Sequence, residues 1–233
     1  KVLDHGFVEL RNVSGPTRRA NIYDGEGTVW CPDFDADDID PANTARMSFD
    51  QMDSGRTREQ DLKLAEYLMK NRHTTPFEMI EVWLEMKMPI FVARQFVRHR
   101  TVSINEVSGR YVQLPAEWYI PEVVGGKAAN AKQGQADNLT IGEQNWFKDM
   151  LKAQCWSSYE MYKKALETGV AAEHARMLLH LNHYTHWIWK QDLHNLMHFL
   201  KLRMAPDAQY EVRAYAQAIY EHFFKPALPW TAE

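Results

Sequence analysis

Cysteine is nearly missing from this chain, which carries Cys31 and Cys155 and no third among 233 residues. Two cysteines allow neither a disulfide framework nor a Cys-type metal spacing, so a reducing, cytoplasmic setting is expected. Neither is expected to act as a nucleophile. Cys31 sits in WCPD, where neighbouring acids raise a thiol pKa, and Cys155 lies beside Trp156 at a helical packing position. Long apolar runs are also missing: nothing approaches the roughly 18 residues that span a bilayer. The opening KVLDHGFVEL has no apolar stretch of the signal-peptide kind, and a start on Lys1 rather than Met reads as trimmed. The chain has no GxGxxG, no Walker loop, no GxSxG and no HExxH. Nucleotide, acyl or zinc chemistry built on those devices is therefore excluded. Positive charge is in deficit: 27 Lys and Arg stand against 31 Asp and Glu, with a pI near 6.2. A general nucleic-acid binder would be basic overall, so any basic patch must be local.

What is present suffices for a core, with 45% hydrophobic and 12% aromatic residues. The length suits one large domain over residues 1–233. Residues 1–44 are mixed and turn-rich, broken by Ser14-Gly15-Pro16 and Asp24-Gly25. Asp33, Asp35, Asp37, Asp38 and Asp40 imitate the start of a calcium loop. Asp38 and Thr44 stand where glycine and glutamate are required, so a solvated loop is expected. Residues 57–71 read as a helix with Thr57 as N-cap and Leu62, Ala65, Leu68 and Met69 as its apolar stripe. Over residues 78–88 the period becomes two, which predicts a half-buried strand. Pro89 then opens a helix ending near His99 and Arg100. Residues 101–110 have no helical period and read as loop, and residues 111–119 read as a short strand. Residues 121–140, rich in Gly, Ala, Asn and Gln, form a flexible excursion. Helices are expected over 143–168, closed by Gly169, and over 171–190. Residues 193–203 read as short helix or loop. A final helix opens at Pro206 and Asp207 and buries Val212, Tyr215, Ile219 and Phe223. The expected class is α+β: a small, mostly antiparallel sheet flanked by helices.

Positive charge concentrates in one place. Arg98-His99-Arg100 leads through seven residues to Ser108 and then Arg110. Residues 94–110 hold four Arg and one Glu, a balance of +3 in a chain of net charge −4. Adjacent like charges cost free energy unless an anion offsets them. Three readings stand: a small anionic ligand, ordinary surface arginines, or a grip on single-stranded nucleic acid. Ser103, Asn105, Ser108 and Gly109 favour the ligand, because they add hydroxyls, an amide and close backbone approach. Gln95 adds an amide able to read a base or flavin edge. Arginine has the planar fork that matches phosphate.

Six of the ten histidines fall within residues 174–198. His180, His183 and His186 recur every three residues, and His194 and His198 lie four apart, spacings that can set metal ligands on one helix face. No paired acids accompany them, and Trp187 and Trp189 favour packing or pocket roles over a metal. Arg203, in LKLRMAP, needs an anionic or carbonyl partner if buried.

The motif RHR, seven residues, then Ser resembles the signature of the flavin-dependent thymidylate synthases. The resemblance extends to Ala45-Arg46-Met47-Ser48, His73-Thr74-Thr75-Pro76-Phe77-Glu78, Glu173-x-x-Arg176, Leu196-x-x-Phe199-Leu200-x-x-Arg203 and Ala208-Gln209-Tyr210-Glu211. It covers about residues 42–224. It implies an FAD enzyme making dTMP from dUMP, with methylenetetrahydrofolate as carbon donor and NADPH as reductant. It also implies a homotetramer with shared active sites, and neither a nucleic-acid nor a membrane partner. Carried over, Gln95, Arg98, Glu106, Ser108, Gly109, Arg110, Arg176 and Arg203 match the dUMP site, with Arg203 the residue that stabilises ionised uracil. His73, Thr75, Arg98, His99, Arg100, Glu106, Asp192, Leu193, His194 and His198 match flavin positions. Where some members carry Asn and Arg, this chain has Asp192 and His194, and where some carry Asn it has His198. The family's chemistry agrees with the missing thiol: uracil made electron-rich without a cysteine needs a positioned cation. Ser108 is then a positioning hydroxyl rather than a nucleophile.

Overall fold

A computed structural model describes residues 1–15, 36, 38–51, 56–128, 135–229 and 231. Cys31, Asp33, Asp35 and Asp37 lie outside the described residues. In chain order the elements are β1 (Phe7–Ser14), α1 (Asp40–Arg46), α2 (Arg58–Lys70), α3 (Thr75–Glu78), β2 (Glu81–Pro89), α4 (Ile90–Phe96), β3 (Ser103–Glu106), β4 (Gly126–Lys127), β5 (Gln135–Ala136), α5 (Ile141–Glu167), α6 (Ala172–Ala175), β6 (Tyr184–Asp192), α7 (Leu193–Arg203), α8 (Tyr210–Ile219) and α9 (Lys225–Ala227). The main sheet runs β1-β2-β6-β3 and every pairing is antiparallel. The class is α+β, as expected.

The strand expected at 78–88 is borne out from Glu81 onward, as β2, while Glu78 ends α3. Val82, Leu84, Met86 and Met88 are fully buried, while Glu81, Trp83, Glu85 and Lys87 face the other side. The register sets Leu84 opposite Trp189 and Met86 opposite Trp187. Phe96 of α4 and Phe199 of α7 pack on this face with ring centroids 4.7 Å apart, and Phe96 also meets Trp189 and Tyr215. The outer face is a charged ladder. Lys190 lies 2.6 Å from Glu81 and over the Trp83 ring, and His186 lies 2.7 Å from Glu85.

The predicted helix over 171–190 is corrected. Only α6 and a 3-10 turn at Arg176–Leu178 are helical, and Tyr184–Asp192 is a central strand. The three-residue histidine spacing imitates a helix period. The segment's Thr, Trp and Ile content suits a pleated strand, and pairing on both edges by β2 and β3 decides the conformation. The predicted loop at 101–110 contains the edge strand β3, and the turn-rich N-terminus contains β1, which shifts register between Leu10 and Asn12. No strand forms over 111–119, where Trp118 makes an isolated bridge to His183.

Thr57 caps α2 as expected, in a reciprocal pair with Gln60. Its buried side is Asp61, Ala65 and Leu68, while Met69 faces outward. The long helix α5 starts on a capping box between Thr140 and Glu143 and ends before Gly169, whose φ of +86° suits a left-handed stop. Helix α7 confirms helix at 193–203. Helix α8 starts at Tyr210, later than predicted, but buries Val212, Tyr215 and Ile219 as expected, and Phe223 is buried in the π-helical turn Tyr220–Phe224 that continues it. The described part of the 121–140 excursion pairs β4 with β5 and is tied to α5 by Lys148 to the Glu122 carbonyl at 2.7 Å.

Candidate active site

Helix α4 ends at Phe96, earlier than predicted, and Arg98-His99-Arg100 occupy the turn that leads to β3. Arg98 and Arg100 are exposed and, among the described residues, have no ion-pair partner. His99 turns inward, its ring against Phe199 at 4.9 Å and near His198 at 6.4 Å. Arg203, the last residue of α7, donates from Nε to His99 Nε2 at 3.0 Å and from a terminal nitrogen to the Gln95 carbonyl at 3.4 Å. The carbonyl partner expected for Arg203 is thus present. Among the described residues no carboxylate pairs with it. Burial lowers the Arg203 pKa from its usual range. A half-buried cation held by two uncharged acceptors is arranged to receive an anion. Gln95 and Arg203 line a cavity of about 1090 Å³ that also takes in Gln209, Tyr119 and the excursion at Gly125 and Gln135.

His99 is therefore an acceptor rather than a third cation. Burial first, then Arg203 and His198, lower its pKa from 6.5 to about 4. His183 is lowered to about 4 as well, by burial, with Glu117 acting in the opposite sense. The consequence has a definite sign. Between pH 6.5 and 4 the unfolded chain binds protons that the folded histidines refuse, so stability present above 6.5 is lost progressively as pH falls through that window. The thermal unfolding midpoint is expected to drop from pH 7 to pH 4.5, with a shallower drop in His183→Asn. A midpoint that holds or rises over this range contradicts the assignment.

The other residues expected at a nucleotide site include Glu106, the last residue of β3, and the turn that follows it. The Glu106 carboxylate accepts from the Thr185 hydroxyl, and the Val107 amide donates to the His186 carbonyl at 2.8 Å. Ser108 Oγ accepts from the Arg110 amide at 3.3 Å, and Arg110 Nε lies 3.3 Å from a Glu173 oxygen. Gly109 is buried where a Cβ would stand a tight 3.1 Å from Leu114, and 3.4 Å, an ordinary contact, from the Arg176 side chain. Arg176 and Arg110 are both exposed.

Other positions expected at a flavin site, His73 and Thr75, lie elsewhere. His73 stacks on Tyr67 with centroids 6.3 Å apart, and it lines with Thr75 a second cavity of about 1100 Å³. Met47, Phe49, Tyr67 and Met79 line the same cavity and are exposed. Thr75 opens the one-turn helix α3, which packs on α7. At the start of α7 Asp192 is the N-cap, accepting from the Asn195 amide at 2.9 Å, and Leu193 is fully buried. His194 is half-buried and His198 exposed. One chain thus brings Gln95, His99 and Arg203 together, sets Ser108–Arg110 beside Arg176, and leaves His73 and Thr75 in a separate groove. Cys155 is buried in α5, and burial raises its thiol pKa. Among the described residues no cluster of His, Cys, Asp or Glu can hold a metal, and no helix is long and apolar enough to cross a membrane.

The sequence gives no role to Tyr119, Gln209 or Glu211, which form one hydrogen-bonded series with Gln95, Tyr119 and Gln209 on the cavity wall and Glu211 behind it. Gln95 Nε2 donates to Gln209 Oε1 at 2.5 Å, Gln209 Nε2 donates to Glu211 at 2.9 Å, and the Tyr119 hydroxyl donates to Glu211 at 3.3 Å. The only sequence signal was the segment Ala208–Glu211, which carries no chemistry until the fold sets it beside α4.

Residues 34–230 match the family described as Thymidylate synthase complementing protein. The flavin-dependent thymidylate synthase of Thermus thermophilus is 47% identical over 224 residues, covering 94% of this chain and 72% of that protein. That of Ehrlichia ruminantium is 42% identical over 223 residues, covering 95% of this chain and 67% of that protein. Among solved structures, the UMP/dUMP methylase PolB from Streptomyces cacaoi bound with 5-Br dUMP superposes with a TM-score of 0.80 at 25% identity. The alignment covers 99% of this chain and 94% of that one. With these likenesses running through nearly all of the sequence and the fold, the chain belongs to the flavin-dependent thymidylate synthase family.

Proposed function

We propose that this protein reductively methylates dUMP to dTMP, with methylenetetrahydrofolate as carbon donor and NADPH as reductant through FAD. The observation that carries the reading is Arg203, a half-buried cation with no carboxylate partner among the described residues, aimed into the cavity that Gln95 shares. Attack from uracil C5 requires negative charge on the ring, and a fixed guanidinium stabilises that charge without a covalent thiol adduct. The buried Cys155, its thiol kept protonated, supports the same route. Gln95, Arg98, Glu106, Ser108, Gly109, Arg110 and Arg176 complete the nucleotide site in this reading, with the arginines on phosphate and Ser108 as a positioning hydroxyl.

The residues present fit a flavin dinucleotide. Arg98 and Arg100 are exposed guanidiniums suited to a pyrophosphate, and the cavity at His73 has the apolar wall that a planar ring needs. The chemistry FAD supplies when bound is two-electron transfer between NADPH and the carbon that folate delivers. In this reading His73, Thr75, His99, Glu106, Asp192, Leu193, His194 and His198 orient it. The active unit is a homotetramer of single-domain chains, working in the cytoplasm, with each site shared between subunits. Two features support sharing: His73 and Thr75 of one chain lie in a different groove from Gln95 and Arg203, and α5 carries Trp146, Met150 and Met161 exposed.

A visible spectrum tests the reading. The purified protein, supplied with FAD, is expected to show oxidised-flavin bands that bleach with NADPH and recover as dUMP and methylenetetrahydrofolate yield dTMP. Colourless protein that binds oligonucleotides with steep salt dependence would point instead to a nucleic-acid module.

A further inference from the structure

Glu211 is 6% exposed and has no place on the cavity wall, yet it ends a chain of hydrogen bonds that reaches the wall. A carboxylate can only accept, so Gln209 must turn its NH2 toward Glu211, at 2.9 Å. Gln209 then has only its carbonyl oxygen to offer Gln95, which meets it through Nε2 at 2.5 Å. Each link forces the next, and the last free acceptor in the series is Gln95 Oε1. Tyr119 closes the other end: it donates to Glu211 at 3.3 Å, and its pKa is raised by burial first and by Glu211 second, which keeps the donor proton in place.

We propose that Glu211 and Gln209 are positioning residues that lock the Gln95 carboxamide with its oxygen toward the cavity, where it accepts from a hydrogen-bond donor of the bound nucleotide. The inference rests on the reading of this cavity as the nucleotide site. The donor is an N–H or O–H, and in dUMP that chemistry comes from N3–H of the neutral uracil ring, before charge develops on it, or from the sugar 3′-hydroxyl. Without the carboxylate the direction of the series is no longer forced, and the Tyr119 proton, which needs an acceptor, favours its reversal. In Glu211→Gln, the new amide accepts from Tyr119 and donates to Gln209, which flips, and Gln95 then presents NH2 to the cavity.

The test is equilibrium binding of three probes, dUMP, 3-methyl-dUMP and 2′,3′-dideoxyuridine monophosphate, to the flavin-loaded protein. Wild-type binding of dUMP at micromolar concentration checks the underlying reading first, and its absence defeats that reading irrespective of Glu211. Given that binding, Glu211→Gln is expected to weaken dUMP about tenfold, the worth of one oriented hydrogen bond. The analogue that lacks the relevant donor is expected to bind wild type and variant alike, which tells ring N–H from sugar hydroxyl. The double variant Gln95→Glu with Glu211→Gln restores an acceptor at the wall, since Gln209 now donates to position 95, and is expected to recover most of the preference for dUMP over that analogue. Unchanged dUMP affinity in Glu211→Gln overturns the proposal. So does an equal loss for all three probes without recovery in the double variant, which would mark Glu211 as merely structural.

Discussion

Arg203→Leu is expected to lower kcat for dTMP formation about a thousandfold, the upper range for removing one preorganised stabiliser of developing charge. The side chain has little structural work to lose. Its partners, His99 Nε2 and the Gln95 backbone carbonyl, are half-buried acceptors that water can satisfy. The unfolding midpoint should therefore move little while turnover collapses. Arg203→Lys should recover only a small part of the loss. Lysine keeps the charge but lacks the planar fork that bonds His99 and Gln95 while leaving further N–H groups for the ring. Measuring kcat and dUMP affinity separately decides the point. A variant that binds dUMP weakly but turns over at the normal rate when saturated would show that Arg203 acts in binding alone.

The second large effect is on stability and comes from the wall of the other cavity. Arg46 and Asp61 form an ion pair whose side chains are each 7% exposed, and Arg46 also donates to Asn43 at 2.8 Å. This pair joins α1 to α2 beneath the groove that holds His73. Asp61→Ala strands a buried guanidinium, an error that costs about 3 to 5 kcal/mol. For a chain of this size that corresponds to a fall in unfolding midpoint of about 10 °C. Replacing both partners with apolar residues of similar volume, Arg46→Met with Asp61→Leu, should recover much of the stability, because no charge is left behind. Calorimetric midpoints of the three proteins provide the check. Equal midpoints for Asp61→Ala and wild type would mean that the pair is solvated.

Local pattern made much of this molecule legible. The period of two in β2, the Thr57 cap of α2 and the glycine stop after α5 need only neighbours in sequence, and each appears where expected. Local pattern failed at β6. There a three-residue histidine spacing competed with strand-forming side chains, and the outcome depended on β2 and β3, partners distant in the chain. The same limit applies to the site. Arg98, Ser108 and Arg203 were named from motifs, but that His99 serves as acceptor to Arg203 depends on a contact across 104 residues and on burial that lowers the imidazole pKa. Gln209 and Glu211 stand in a motif of the resemblance, but their link to Gln95 is not legible there, because a hydrogen bond spanning 114 residues leaves no trace in spacing.

By itself, then, the sequence determined the inventory: the RHR-to-Ser run with its clustered arginines, the scarcity of cysteine and the absence of phosphate-loop devices. Those follow from composition and order alone. Only the tertiary structure decided which cations stay unpaired among the described residues, which histidine accepts instead of donating, and which way the Gln95 amide points. Each of these is set by burial and by hydrogen-bond partners that chain folding brings together from remote positions, and neither quantity exists before the sheet and its helices are assembled.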